Sequence, residues 1–202
     1  AFARMLEVIS TLPPRSIVLL HACCHNPTGV DLVAAQWQQL IPVLRQRELI
    51  GYLDLAYQGY GDGIAEDAAA VRQMASSGLP FFIANSFSKS MSLYGERCGA
   101  LSVCCANADE AGRVLGQLKF TVRRNYSSPP IFGGQIVARV LGDPALRALW
   151  EAEVGAMRER IAAMRKALHG VLSSKLPGRD LGYFLTQRGM FSYTGLTAAQ
   201  VD

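Results

Sequence analysis

Apolar positions fall into short dense runs separated by polar punctuation, and two periods account for most of them. Residues 32–48 carry Trp37, Leu40, Ile41 and Leu44 at helical spacing, which predicts an amphipathic helix. Residues 16–21, 49–55 and 81–85 are compact apolar runs of strand length, and residues 99–105 form a fourth. A first helix over residues 2–11 is stopped by Pro13-Pro14. Asp67 reads as the cap of a helix reaching about residue 76. Helical patterns follow at 109–123 and 133–140, with Ser127-Ser128-Pro129-Pro130 between them. Asp143 and Pro144 then supply the cap and first position of a long helix to about residue 173.

Strands alternating with helices predict an α/β fold, a mostly parallel sheet covered by helices on both faces. Residues 1–142 would form that domain, lacking its N-terminal part. Residues 143–202 would supply a long connecting helix and the start of a smaller α+β domain. Ala1 opens directly in helical sequence, and residues 197–202 begin a capped helix and stop, so the chain reads as a middle excerpt of a longer one.

Half of the 202 residues are hydrophobic, enough for a substantial core. The net charge of +4 is scattered, and Arg123-Arg124 is the longest basic run, which argues against nucleic acid. No apolar run approaches the roughly 20 residues of a membrane span, and Ala1-Phe2-Ala3-Arg4 is no signal peptide. A cytoplasmic protein is the resulting expectation. Cys23, Cys24, Cys98, Cys104 and Cys105 form no CxxC motif and read as reduced thiols. His21 and His25 flank a loop containing Pro27 and Gly29, a poor frame for zinc, so no metal is expected.

Ligands of open α/β sheets gather at the carboxyl ends of strands. The first strand leads into Asn26. The second ends at Asp54 and bends into Tyr57. The third leads to Ser86, Ser88 and Lys89, with Arg97 soon after. A lysine amine at a strand mouth suits imine formation. Pyridoxal phosphate (PLP) would use each group: Lys89 for its aldehyde, Asp54 for its ring nitrogen, Asn26 and Tyr57 for its phenolic oxygen, and Ser86, Ser88 and Arg97 for its phosphate. Singly, each has an ordinary alternative. Lys89 can be a strand-end lysine reaching solvent, Asn26 a turn former, Asp54 a turn cap and Tyr57 a core residue. The Gly59-Tyr60-Gly61-Asp62-Gly63 run lacks the ending of a P-loop and reads as a flexible turn.

His25-Asn26-Pro27-Thr28-Gly29, Asp54-Leu55-Ala56-Tyr57-Gln58-Gly59, Ser86-Phe87-Ser88-Lys89 and Tyr94-Gly95-Glu96-Arg97 together resemble the aspartate/aromatic aminotransferases, fold type I PLP enzymes. Residues 123–130 and 187–196 are similar to the bacterial aromatic (tyrosine) branch, and Ser128 replaces an asparagine usual in the aspartate branch. The resemblance implies transamination between an aromatic or dicarboxylic amino acid and a 2-oxo acid. It implies Lys89 as imine-forming amine and proton carrier, with Asn26 also near substrate. It implies a homodimer in which Arg123 reaches the partner's dicarboxylic substrate, and a cis Asn26-Pro27 bond. Aspartate aminotransferase proper is the alternative, and a catalytically incomplete fragment or sensor domain is another. Family members are about twice this length, so the 202-residue chain alone is expected to transaminate poorly.

Overall fold

The structure, a computed structural model, describes residues 1–201. Asp202, the last residue of the predicted C-terminal helix, lies outside the described residues. The elements in order are α1 (Phe2–Ser10), β1 (Ile17–His21), α2 (Ala34–Gln46), β2 (Ile50–Leu55), α3 (Ala69–Ser76), β3 (Phe81–Ser86), β4 (Gly99–Cys104), α4 (Ala108–Asn125), α5 (Phe132–Gly142), α6 (Pro144–Lys175), α7 (Tyr183–Thr186) and α8 (Ala198–Val201). The four strands lie in the order β1-β2-β3-β4. The first three are parallel and β4 is antiparallel to β3.

The pleat divides each strand between two environments. Val18, Leu20, Leu53, Leu55, Phe81 and Ile83 point into a core shared with Ile9 of α1, Trp37, Leu40 and Leu44 of α2, Met74 of α3 and Val154 of α6. On the opposite pleat positions Ile17, Leu19 and Leu101 are exposed at 63%, 59% and 49%. Among the described residues, then, the helices pack chiefly on the core side, and the other side is half-buried at Tyr52 and Phe82 and open at β1 and β4. The apolar run of β1 is consistent with burial on either side.

Helix ends follow local chemistry. Asp143 caps α6 by accepting from the N–H groups of Ala145 and Leu146, with Pro144 at the first turn. Asn107 caps α4 through Glu110 N–H. Asp67 does not cap α3, whose N-cap is Ala68. Its carboxylate turns back and accepts from the backbone N–H groups of Gly59, Gly61 and Asp62, at 2.7, 3.0 and 2.8 Å. The predicted flexible turn is thus a clamped loop. Among the described residues no strand follows β4, so the expected α+β segment contributes only α7, α8 and connecting chain. No helix among them is long and apolar enough to cross a membrane.

Candidate active site

Because β1, β2 and β3 run the same way, their carboxyl ends share one edge. Register sets His21 beside Asp54 and Asp54 beside Ala84. Antiparallel β4 enters at that same edge, with Gly99 opposite Ser86. Arg97, two residues before Gly99, is delivered to the end where Ser86 leaves the sheet. Four separate segments thereby converge, as the topological rule predicts.

The Asn26 side-chain amide lies 3.5 Å from the Tyr57 hydroxyl, and the Asn26-Pro27 bond is cis. Tyr57 is buried, and its ring meets Phe191 edge-on at 5.4 Å. The Lys89 ammonium stands over two rings, 4.9 Å from the centre of Tyr57 and 5.9 Å from that of Tyr94. Asn26, Tyr57 and Lys89 therefore form one cluster. Asp54 projects from the pleat position opposite the core residues Leu53 and Leu55, and it is half-buried. Among the described residues its carboxylate makes no hydrogen bond or ion pair. Neighbouring His21 carries a buried Nδ1 that also lacks a partner. The buried His21 nitrogen is the costly one of the two for a purely structural sheet, and the half-buried Asp54 carboxylate is left without a protein partner beside it.

Ser88 is buried, and its N–H donates to Ser86 Oγ at 3.2 Å. Arg97 is exposed, adopts a positive φ of 51°, and donates to the Tyr94 carbonyl at 3.0 Å. Among the described residues its other guanidinium nitrogens remain free for an anion. Arg123 is not part of the cluster. It sits exposed in the last turn of α4 and donates to Ser127 Oγ.

Residues 1–201 match the family model for aminotransferase class I and II. The chain belongs to that family. It is 64% identical over 201 residues to the aromatic-amino-acid aminotransferase of Escherichia coli, covering all of this chain and 51% of that protein. It is 56% identical to an aspartate aminotransferase of Pseudomonas aeruginosa over 99% of this chain and 50% of that one. Among solved structures, the aromatic-amino-acid aminotransferase of Burkholderia pseudomallei, covalently bound to pyridoxal phosphate, superposes with a TM-score of 0.97 at 56% identity. That match covers 100% of this chain and 50% of the other. The chain spans about half the length of the relatives it matches. Aromatic and aspartate names both occur among them.

Within this aminotransferase frame, several structural supports escape sequence reasoning. The Tyr60 hydroxyl donates to the Lys89 carbonyl, and the Trp150 indole N–H donates to the Ser90 carbonyl. Arg165 gathers the carbonyls of Gly189 and Phe191 and the hydroxyl of Ser192, placing Phe191 against Tyr57. Residue type gives little signal for these contacts, since each joins distant segments. Cys23, Cys24 and Asp67 also bring their ligand-type atoms within 4.8 Å of one another. Both Asp67 oxygens already serve the loop, and the hydrogen bond with Cys24, with burial, holds the Cys23 thiol protonated. The cluster therefore reads as packing around the clamp.

Proposed function

We propose that the protein works as a PLP-dependent aminotransferase acting between an aromatic or dicarboxylic amino acid and a 2-oxo acid such as 2-oxoglutarate. The observation that carries this is the convergence of Lys89, Tyr57 and Asn26 with the unpaired Asp54 at one sheet edge. The family supports the reaction class, and the PLP bound to the Burkholderia relative supports the cofactor.

The residues present fit the cofactor. An unpartnered, half-buried carboxylate beside an orphaned histidine nitrogen suits a protonated pyridine ring. When bound, PLP supplies an electron sink for charge developing at the substrate α-carbon. Asp54 would keep the ring nitrogen protonated through an ion pair. Asn26 and Tyr57 would donate to the phenolic oxygen. Ser86, Ser88 and Arg97 would anchor the phosphate, Arg97 through its planar fork. Lys89 would hold the cofactor through its Nζ and, once released, carry the proton to and from the substrate α-carbon as general base and acid. Tyr57 and Tyr94 flank that nitrogen and limit its wandering. Arg123 is exposed and stands apart from the cluster. That suits a role in a second protomer's site, where it would pair with a dicarboxylic side chain. Ser128 favours aromatic over strict aspartate use. The homodimer and a cytoplasmic location belong to this same reading. So does a division into a cofactor-binding domain over residues 1–142 and the start of a second from 143.

The test is borohydride reduction of the protein with PLP, followed by peptide mapping. A single label on Lys89 is the expected outcome, lost in Lys89→Ala. Label on Lys119, Lys166 or Lys175 instead would overturn the assignment. Comparing turnover of tyrosine and aspartate then separates the two substrate readings.

A further inference from the structure

The short segment that carries Lys89 has little regular structure of its own. It follows β3; one backbone bond, Phe87 N–H to Cys98, carries the β3–β4 pairing a step further, and beyond it only turn contacts remain, Met91 N–H to Phe87 and Ser92 N–H to Lys89. Turns of this kind are soft when only local bonds hold them. Two distant side chains nevertheless grip consecutive carbonyls there. The Tyr60 hydroxyl donates to the Lys89 carbonyl at 2.9 Å, and the Trp150 Nε1–H donates to the Ser90 carbonyl at 2.7 Å.

Each donor is itself fixed. Tyr60 is buried and rides on the loop whose N–H groups are clamped by Asp67. Arg158 of α6 donates to the Gly59 carbonyl of that loop at 3.3 Å. Gly59 lies so close to α6 that an added Cβ would come within 2.5 Å of Val154, and its φ of +97° favours glycine as well. Trp150 stands on α6 four residues before Val154, which is fully buried. Burial pushes the Tyr60 phenol above its ordinary range, so its hydroxyl stays a donor through neutral and mildly basic pH.

We infer that Tyr60 and Trp150 act together as positioning residues, a two-donor clamp that fixes the backbone under Lys89 and holds its amine over the Tyr57 and Tyr94 rings. The inference rests on reading Lys89 as the imine-forming amine. Both side-chain donors are engaged by the backbone, Tyr60 at the Lys89 carbonyl and Trp150 at the Ser90 carbonyl, so each acts through the Lys89–Ser90 backbone. A fixed backbone narrows the positions the four-carbon side chain can reach, and proton transfer depends on that placement.

The test uses the full chain free of cofactor. Reductive ¹³C-methylation places a dimethylamine on each of four lysines, Lys89, Lys119, Lys166 and Lys175. The Lys89 signal is displaced by the ring currents of the two tyrosines above which it stands. In Tyr60→Phe it should move toward the position of free dimethyl-lysine. The same should follow when Trp150 is replaced site-specifically by benzothienylalanine, which keeps the bicyclic shape and drops the N–H. The other three lysine signals, and that of the Ala1 α-amine, which the reaction also methylates, should stay in place, reporting an intact fold. Met157→Leu is the control. It removes the sulfur that lies 3.4 Å from the Tyr60 hydroxyl while leaving the carbonyl contact, and should not move Lys89. Whatever turnover the cofactor-loaded protein sustains, each clamp variant should lower its kcat by about fivefold with KM little changed, as expected for one lost neutral hydrogen bond. A Lys89 signal unmoved in either single replacement overturns the two-donor clamp. Borohydride labelling elsewhere than Lys89 would sink the PLP reading while leaving this measurement standing, so the two failures are distinguishable.

Discussion

Replacing Asp67 by asparagine tests whether its carboxylate holds the 59–62 loop. Oδ2 accepts from Gly59 and Gly61, and Oδ1 accepts from Asp62. Asparagine offers one acceptor. Its best orientation keeps the oxygen toward the two glycines and turns an NH₂ group toward the Asp62 N–H. That orphaned donor costs about 1–3 kcal/mol. The two remaining bonds lose their charge assistance as well. Against this, asparagine avoids burying a charge, and burial is the first cause of the raised Asp67 pKa, partly offset by the backbone N–H groups and Arg158. The net loss should be about 2 kcal/mol, a fall in Tm of roughly 4–8 °C for a chain of this size.

The pH dependence of that loss follows from the direction of the shift. A carboxyl whose folded pKa is raised binds its proton more tightly in the native state. Between its ordinary value of 3.8 and its folded value, wild-type stability therefore falls as pH rises. The Asp67→Asn variant lacks this titration, so the gap between the two proteins is widest at acidic pH and narrows toward neutrality. Urea melts of both proteins across that range measure it. If Asp67→Asn is as stable as wild type throughout, desolvation outweighs the clamp and the loop is held by something else.

Removing Arg165 with alanine strips the donors from Gly189, Phe191 and Ser192, and should cost about 2–3 kcal/mol and open residues 184–192 to limited proteolysis. His25 has its pKa lowered by burial first and by neighbouring His21 second, with Asp31 opposing. Its contribution to stability is complete above its ordinary 6.5 and is lost as pH falls below that value, and His25→Gln should flatten that slope in thermal melts. Arg123→Ala should raise KM for dicarboxylic substrates at least about tenfold and leave aromatic substrates nearly unaffected, as loss of a bidentate carboxylate pair implies.

Much of this was legible in the residue pattern because local physics governs it. The four strands, the α6 cap at Asp143 and the convergence of Asn26, Asp54, Tyr57 and Lys89 follow from periodicity, capping and one rule of sheet topology. Asp67 was misread because an aspartate just ahead of a helix looks like a cap; only its burial and its reach of five to eight residues back show a clamp. Tyr60 and Trp150 stayed hidden because they meet Lys89 and Ser90 across 29 and 60 residues, a distance pattern analysis does not span. The open sheet face was illegible for a different reason. Ile17 and Leu19 have the composition of core residues, and composition does not say what covers them.

The antiparallel entry of β4 brings Arg97, the proposed phosphate arginine, to the end of β3, and one glycine sets how closely that strand approaches. Gly99 pairs with Ser86, and a Cβ built on it would lie 2.7 Å from the Asn85 carbonyl oxygen. That oxygen belongs to the backbone and cannot swing aside, so alanine at 99 must push the start of β4 away from β3. Arg97 precedes the displaced residue by two, whereas Ser86 and Ser88 stay with β3. The serine hydroxyls and the guanidinium would then no longer face one anion together. Losing one charge-assisted bond, about 1.5–3 kcal/mol, predicts that Gly99→Ala weakens PLP binding by at least about tenfold. A thermodynamic cycle tells whether the effect runs through Arg97. If it does, Gly99→Ala/Arg97→Ala binds PLP no more weakly than Arg97→Ala alone. Additive losses in titration calorimetry would show that the glycine acts elsewhere, and that β4 does not set the phosphate contact.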